Sequence, residues 1–108
     1  ARRVFGYDVL PNGKGGIRIE GPDIALVEVD GDFGAVALAD ADPALGDDIS
    51  HTGYGGTQPF QGQFPVTKSG RVVPSDNADE FGSTLVGVSG DSGAGVFNKK
   101  GQLCGVSA

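Results

Sequence analysis

A single cysteine, Cys104, is all that this chain of 108 residues carries. One cysteine excludes an intrachain disulfide, and with only one histidine present no Cys/His cluster has the spacing of a structural zinc site. Cys104 reads as a small apolar residue inside a strand. Long apolar runs are lacking too. None approaches the roughly 18 residues of a membrane helix, and Ala1-Arg2-Arg3 is not followed by the apolar stretch of a signal peptide. Basic charge is scarce: 14 acids stand against 8 bases for a net charge of −6, with the acids scattered. That balance argues against nucleic-acid and anionic-membrane partners. The acidic group Asp40, Asp42, Asp47 and Asp48 lacks the spacing of an EF-hand loop and reads as a solvated loop, so neither a metal nor a cofactor is expected. Lys99-Lys100 is too short a run for a binding patch and reads as a solvated hairpin tip. Helical periodicity is absent throughout.

Glycine is what the chain has in abundance, 20 residues with six prolines and no fixed period. They punctuate short strands rather than build a repeat. Gly16–Glu20 alternates strictly, and Ile24–Val29 is an apolar run closing on an alternating pair. Asn12-Gly13 and Asp30-Gly31-Asp32 mark turns. Ala35–Ala39, bounded by Gly34 and Asp40-Ala41-Asp42-Pro43, is expected to be a short strand. Further strands are expected over Ile49–Tyr54, Thr84–Val88, Gly93–Phe97 and Leu103–Ser107, the last two joined by a polar hairpin at Asn98–Gly101. Pro59–Glu80 shows weak strand character at best. The fold class is all-β.

Gly90-Asp91-Ser92-Gly93 carries the strongest chemical signal. A nucleophilic serine requires close approach by the substrate backbone and nearby amides aimed at a developing oxyanion. Glycine permits both, because Gly90 can adopt backbone angles closed to other residues and let its N–H converge with that of Ser92.

Three further segments fall in an order that resembles the trypsin-like (chymotrypsin-fold) serine proteases, whose triad runs His, Asp, Ser along the chain. Asp23-Ile24-Ala25-Leu26 resembles the segment around the triad aspartate, and Thr52-Gly53-Tyr54-Gly55 resembles the Thr-Gly-Trp-Gly strand that opens the second barrel. Gly90–Gly93 resembles the nucleophile loop, and Gly105-Val106-Ser107 the strand beside bound substrate. Two departures stand out: Gly93-Ala94-Gly95 replaces the usual Gly-Gly-Pro, and Tyr54 replaces the strand tryptophan. The resemblance spans about Arg3 to Ala108. It implies a chymotrypsin-like double Greek-key β-barrel, with residues 1–40 as the end of the first barrel and 41–108 as a partial second barrel bearing the nucleophile loop.

The resemblance also implies roles. Ser92 would be the nucleophile and Asp23 the acid that orients a histidine, with Gly90 and Ser92 N–H as the oxyanion hole. Ser107 would support Asp23 through its hydroxyl. Asp91 would order the loop by accepting an ion pair from a cationic group. Val86, Gly87, Val88, Ser89, Val106 and Ser107 would contact a polypeptide substrate. By the same resemblance Val86 would occupy the pocket floor, where a carboxylate would select Arg or Lys, so an apolar or small side chain is expected at the cleavage position. A secreted or extracellular location goes with the family.

The histidine does not fit this order. The first 22 residues contain none, and the only one, His51, follows Asp23 and falls on a strand, where a partly exposed structural residue is expected. Asp23 itself follows Gly21-Pro22 and could be a turn aspartate. Three readings remain open. The first is a serine endopeptidase seen as an incomplete chain, inactive alone and completed by a second segment or chain bearing the catalytic histidine. The second is a catalytically inactive protease-fold structural or binding protein, and the third an unrelated all-β interaction module.

Overall fold

Short, glycine-bounded apolar runs make strands, and strands are what form. The computed structural model describes residues 3–5, 8–11, 13–20, 23–56 and 62–108, and among these there is no helix. The chain divides into two units, Ala1–Gly34 and Ala35–Ala108.

The first unit holds β1 (Arg3–Phe5), β2 (Asp8–Pro11), β3 (Ile17–Glu20) and β4 (Leu26–Glu28). β2 and β3 pair antiparallel from Asp8 opposite Glu20 to Pro11 opposite Ile17. Gly13 and Gly15 in the connection take φ of 77° and 81°, a left-handed region that glycine enters without penalty. Asn12 of the expected turn lies outside the described residues. β4 pairs with β1 over three positions, Arg3 with Glu28 to Phe5 with Leu26. Of the strand expected over Ile24–Val29, β4 covers Leu26–Glu28.

The second unit is a curled antiparallel sheet of five strands in the order β7-β6-β5-β8-β9. These are β5 (Asp48–Gly53), β6 (Val66–Val73), β7 (Gly82–Ser83), β8 (Gly95–Asn98) and β9 (Leu103–Val106). Ile49, Val72 and Val96 form its buried core, with Phe81, Leu85 and Cys104 packed against them. Cys104 thus takes the apolar role expected of it, half-buried with its Sγ 3.4 Å from the Val96 carbonyl. Burial raises the pKa of its thiol.

Side chains alternate across a strand. Ile49, His51 and Gly53 on β5 therefore point inward together and are buried, while Asp48 and Thr52 are exposed. On β6 the inward positions are Lys68, Gly70 and Val72. The β5/β6 register sets His51 directly opposite Lys68. On the outer face, Thr52 and Thr67 pair through their hydroxyls at 2.7 Å.

Three expectations are corrected here. β6, the longest strand, lies inside the stretch read as having weak strand character, because its inward positions include a lysine and a glycine instead of an apolar series. Thr84–Val88 is not a strand: Thr84 bonds Arg71 through backbone and hydroxyl, after which Leu85 turns into the core. Ala35–Ala39 makes only a parallel bridge at Leu38, with Ala37 and Ala39 flanking Leu103 of β9. Val36 and Leu38 are exposed, so extending the pairing would bury no apolar surface.

The hairpin expected at Asn98–Gly101 is present. Asn98 Oδ1 accepts from the N–H of Lys100 and Gln102 at 3.0 and 2.9 Å, and Gly101 closes the turn at φ 75°. Lys99 and Lys100 sit exposed at its tip.

Candidate active site

The Gly90–Gly93 loop is shaped by two of its glycines. Gly90 and Gly93 take φ of 103° and 88°, which side-chain-bearing residues rarely adopt. Between them Asp91 turns inward and is buried, while Ser92 is exposed. Gly90 also lies close to the β5 end: a Cβ there would come within 3.2 Å of Gly55 N. The backbone is tied on both sides, by Asp91 N–H to Val88 O at 3.0 Å and Ala94 N–H to Asp91 O at 3.0 Å.

Asp91 is 3% exposed, and such a carboxylate is tolerable only if its oxygens are fully engaged. Oδ1 accepts the Gly55 N–H at 3.0 Å. Oδ2 accepts the Val88 N–H at 3.1 Å and the Lys68 ammonium at 2.6 Å. Lys68 donates a second hydrogen bond to the Gly55 carbonyl at 2.8 Å. Chiefly through the Lys68 hydrogen bond, then through the Val88 amide, the carboxyl is held at a pKa of about 2 against an ordinary 3.8.

Thr52-Gly53-Tyr54-Gly55 has a physical reason here. A Cβ on Gly53 would stand 2.5 Å from Asp91 Oδ1, and one on Gly55 would stand 2.6 Å from the same oxygen and 2.7 Å from Val88 Cγ2. Both glycines make room for the buried carboxylate. Tyr54 between them is exposed.

The loop is also bound to the last strand. Gly93 N–H donates to Ser107 O at 2.6 Å, and Ser107 N–H donates to Ala94 O at 2.8 Å. The Ser107 hydroxyl bonds His51 Nδ1 at 2.9 Å. His51 is 2% exposed, not the partly exposed residue expected, because it shares the inward face of β5 with Ile49. Its Nε2 has no hydrogen-bond partner and lies 3.9 Å from Asp91 Oδ2.

Among the residues singled out from sequence, Gly90, Asp91, Ser92 and Ser107 thus fall on one connected piece of the second unit, with Val88 and Val106 directly bonded to it or adjoining it. Val86, Val88 and Val106 are exposed apolar residues. Gly87 has nothing within 4 Å of where a Cβ would be, and Ser89 continues the turn toward Gly90. Asp23 belongs to the first unit, exposed just ahead of β4. Lys68 was missed by sequence reasoning, and the only available signal was its inward parity with Gly70 and Val72. Among the described residues no group of His, Cys, Asp and Glu could hold a metal ion.

Comparison with curated proteins and with solved structures returned no significant match. A family model described as a trypsin-like peptidase domain matches residues 1–106. The matched span takes in the loop of Gly90–Gly93, the glycines that admit Asp91 and the Gly105–Val106 strand, and the chain belongs to the trypsin-like peptidase domain family.

Proposed function

We propose that this chain is part of a serine endopeptidase that hydrolyses polypeptides through an acyl-enzyme on Ser92. The observation that carries the reading is the buried Asp91 carboxylate. It is clasped by Lys68, Gly55 and Val88 directly beneath an exposed Ser92 in a loop bent by two left-handed glycines. Such an arrangement leaves the serine presented to solvent while its backbone is held from below.

In this reading Ser92 Oγ attacks the scissile carbonyl as a histidine removes its proton. The oxyanion is met by the N–H groups of Gly90 and Ser92. Collapse of the tetrahedral intermediate breaks the C–N bond, the histidine protonates the departing amine, and water releases the acyl group by the reverse sequence. Asp23 orients the histidine. His51 cannot serve as that base, since it is buried and bonded to Ser107, so the histidine comes from a second segment or chain. Lys68 is the cation that orders the loop through Asp91, a role that requires no newly cut N-terminus. Val86 at the pocket floor, with Gly87, Val88 and Ser89, favours an apolar or small side chain at the cleavage position. Secretion accords with the family.

The buried His51 also favours a second reading, an inactive family member kept for structural or binding duty. A fluorophosphonate probe separates the two. The native preparation is treated and the labelled peptide mapped by mass. Labelling at Ser92 supports the endopeptidase, whereas a folded protein that stays unlabelled supports the inactive relative.

A further inference from the structure

Among the described residues His51 Nε2 is the one buried side-chain nitrogen or oxygen left without a hydrogen-bond partner. A buried polar atom of this kind calls for an explanation. The groups facing it are few. Lys68 lies opposite on β6, Val96 lies opposite on β8, and Asp91 and Ser107 approach from the nucleophile loop and the end of β9.

A neutral imidazole has one N–H and one lone pair, and the two nitrogens face different partners. Nε2 faces the Asp91 carboxylate at 3.9 Å. A lone pair turned toward an anion is repelled, whereas an N–H is attracted. Lys68 directs two of its three donors to Gly55 O and Asp91 Oδ2 and none to His51 Nε2. The ring proton therefore belongs on Nε2. Nδ1 is then an acceptor, and the 2.9 Å bond to Ser107 Oγ is made with the serine hydroxyl proton.

We propose that His51 is a positioning residue that couples the last strand to the nucleophile loop, with its proton on Nε2 facing Asp91 and its Nδ1 accepting the hydroxyl proton of Ser107. Ser107 is bonded to Gly93 and Ala94 through its backbone. His51 accordingly touches both sides of Ser92, bonded through Ser107 to the Gly93 that follows it and facing the Asp91 that precedes it. One further consequence concerns Ser107. Its single hydroxyl proton is spent on His51, so in this state the side chain can accept a further hydrogen bond but cannot donate one.

This inference rests on the endopeptidase reading for its effect on Ser92, but the proton position can be measured without it. In the full-length protein with 15N-labelled histidine, the His51 ring is expected to show a protonated Nε2 and an unprotonated Nδ1. A neutral ring protonated on Nδ1 would overturn the proposal. The second measurement compares His51→Phe with His51→Gln, whose amide can still place a donor near Asp91. Ser92 labelling by a fluorophosphonate is expected to slow about tenfold in His51→Phe and to recover in large part in His51→Gln. Equal rates in folded wild type and both variants would overturn the positioning role. A wild-type protein that is never labelled, with Nε2 protonated as expected, would count against the endopeptidase reading and leave the His51 link standing.

Discussion

Lys68 Nζ lies 2.6 Å from Asp91 Oδ2, and the two residues stand 23 positions apart in the chain on different elements of the second unit. Lys68 is inward-facing on β6 and Asp91 is the buried member of the Gly90–Gly93 loop, so the pair links the sheet to the loop that presents Ser92. Removing the cation would leave a buried carboxylate with only amide donors. Lys68→Met is expected to lower Ser92 labelling on the order of 100-fold, the loss typical of a disrupted oxyanion site. Lys68→Arg is expected to keep a larger share. Unchanged labelling in a folded Lys68→Met protein would remove Lys68 from the loop-ordering role.

Acid should reveal the same pair. Asp91 titrates near 2 in the folded chain against an ordinary 3.8, so the folded state binds this proton more weakly than the unfolded state. Its contribution to stability is complete above about pH 4 and is lost as the pH falls toward about 2. Denaturant midpoints measured from pH 6 to pH 2 should therefore drop more steeply for wild type than for Asp91→Asn within that window. Parallel curves would show that Asp91 carries no such linkage.

The glycines under Asp91 make a steric prediction. Gly55→Ala would put a methyl 2.6 Å from Asp91 Oδ1, and overpacking of this kind typically costs about 1–3 kcal/mol. Gly34→Ala meets nothing within 4 Å and has no positive φ, so its unfolding midpoint should barely move. The two unfolding curves, run side by side, check the difference. Similar midpoints for both variants would mean that the carboxylate has room the geometry does not suggest.

Cleavage preference depends on Val86 in the proposed enzyme. A digest profile of the active protein is expected to show apolar or small residues before the cut. Val86→Asp should shift the profile toward Lys and Arg, since a carboxylate at the pocket floor attracts a cationic side chain. Wild-type cleavage mainly after Arg or Lys would dismiss the pocket assignment.

Legibility in the sequence followed locality. Asp91 and Ser92 were visible because the residues that bend their loop, Gly90 and Gly93, adjoin them in the chain. β8 and β9 were visible because Asn98 and Gly101 build the hairpin between them from their own side chains and backbone. β6 was not, because Lys68 and Gly70 replace the apolar residues that mark an inward face. His51 was misjudged because its burial depends on parity with Ile49, and a histidine on a short strand does not announce which face it takes.

The sequence by itself determined an all-β chain, the family, and the bend at Gly90–Gly93, because these follow from glycine placement, strand-length apolar runs and one tetrapeptide. Only the tertiary structure decided which cation holds Asp91, why Gly53 and Gly55 lack side chains, and where His51 points. Those facts depend on the register that sets His51 opposite Lys68 and on the approach of the Gly90–Gly93 loop to the end of β5. Contacts between segments far apart in the chain are fixed by how the sheet pairs, and no local pattern of residues encodes them.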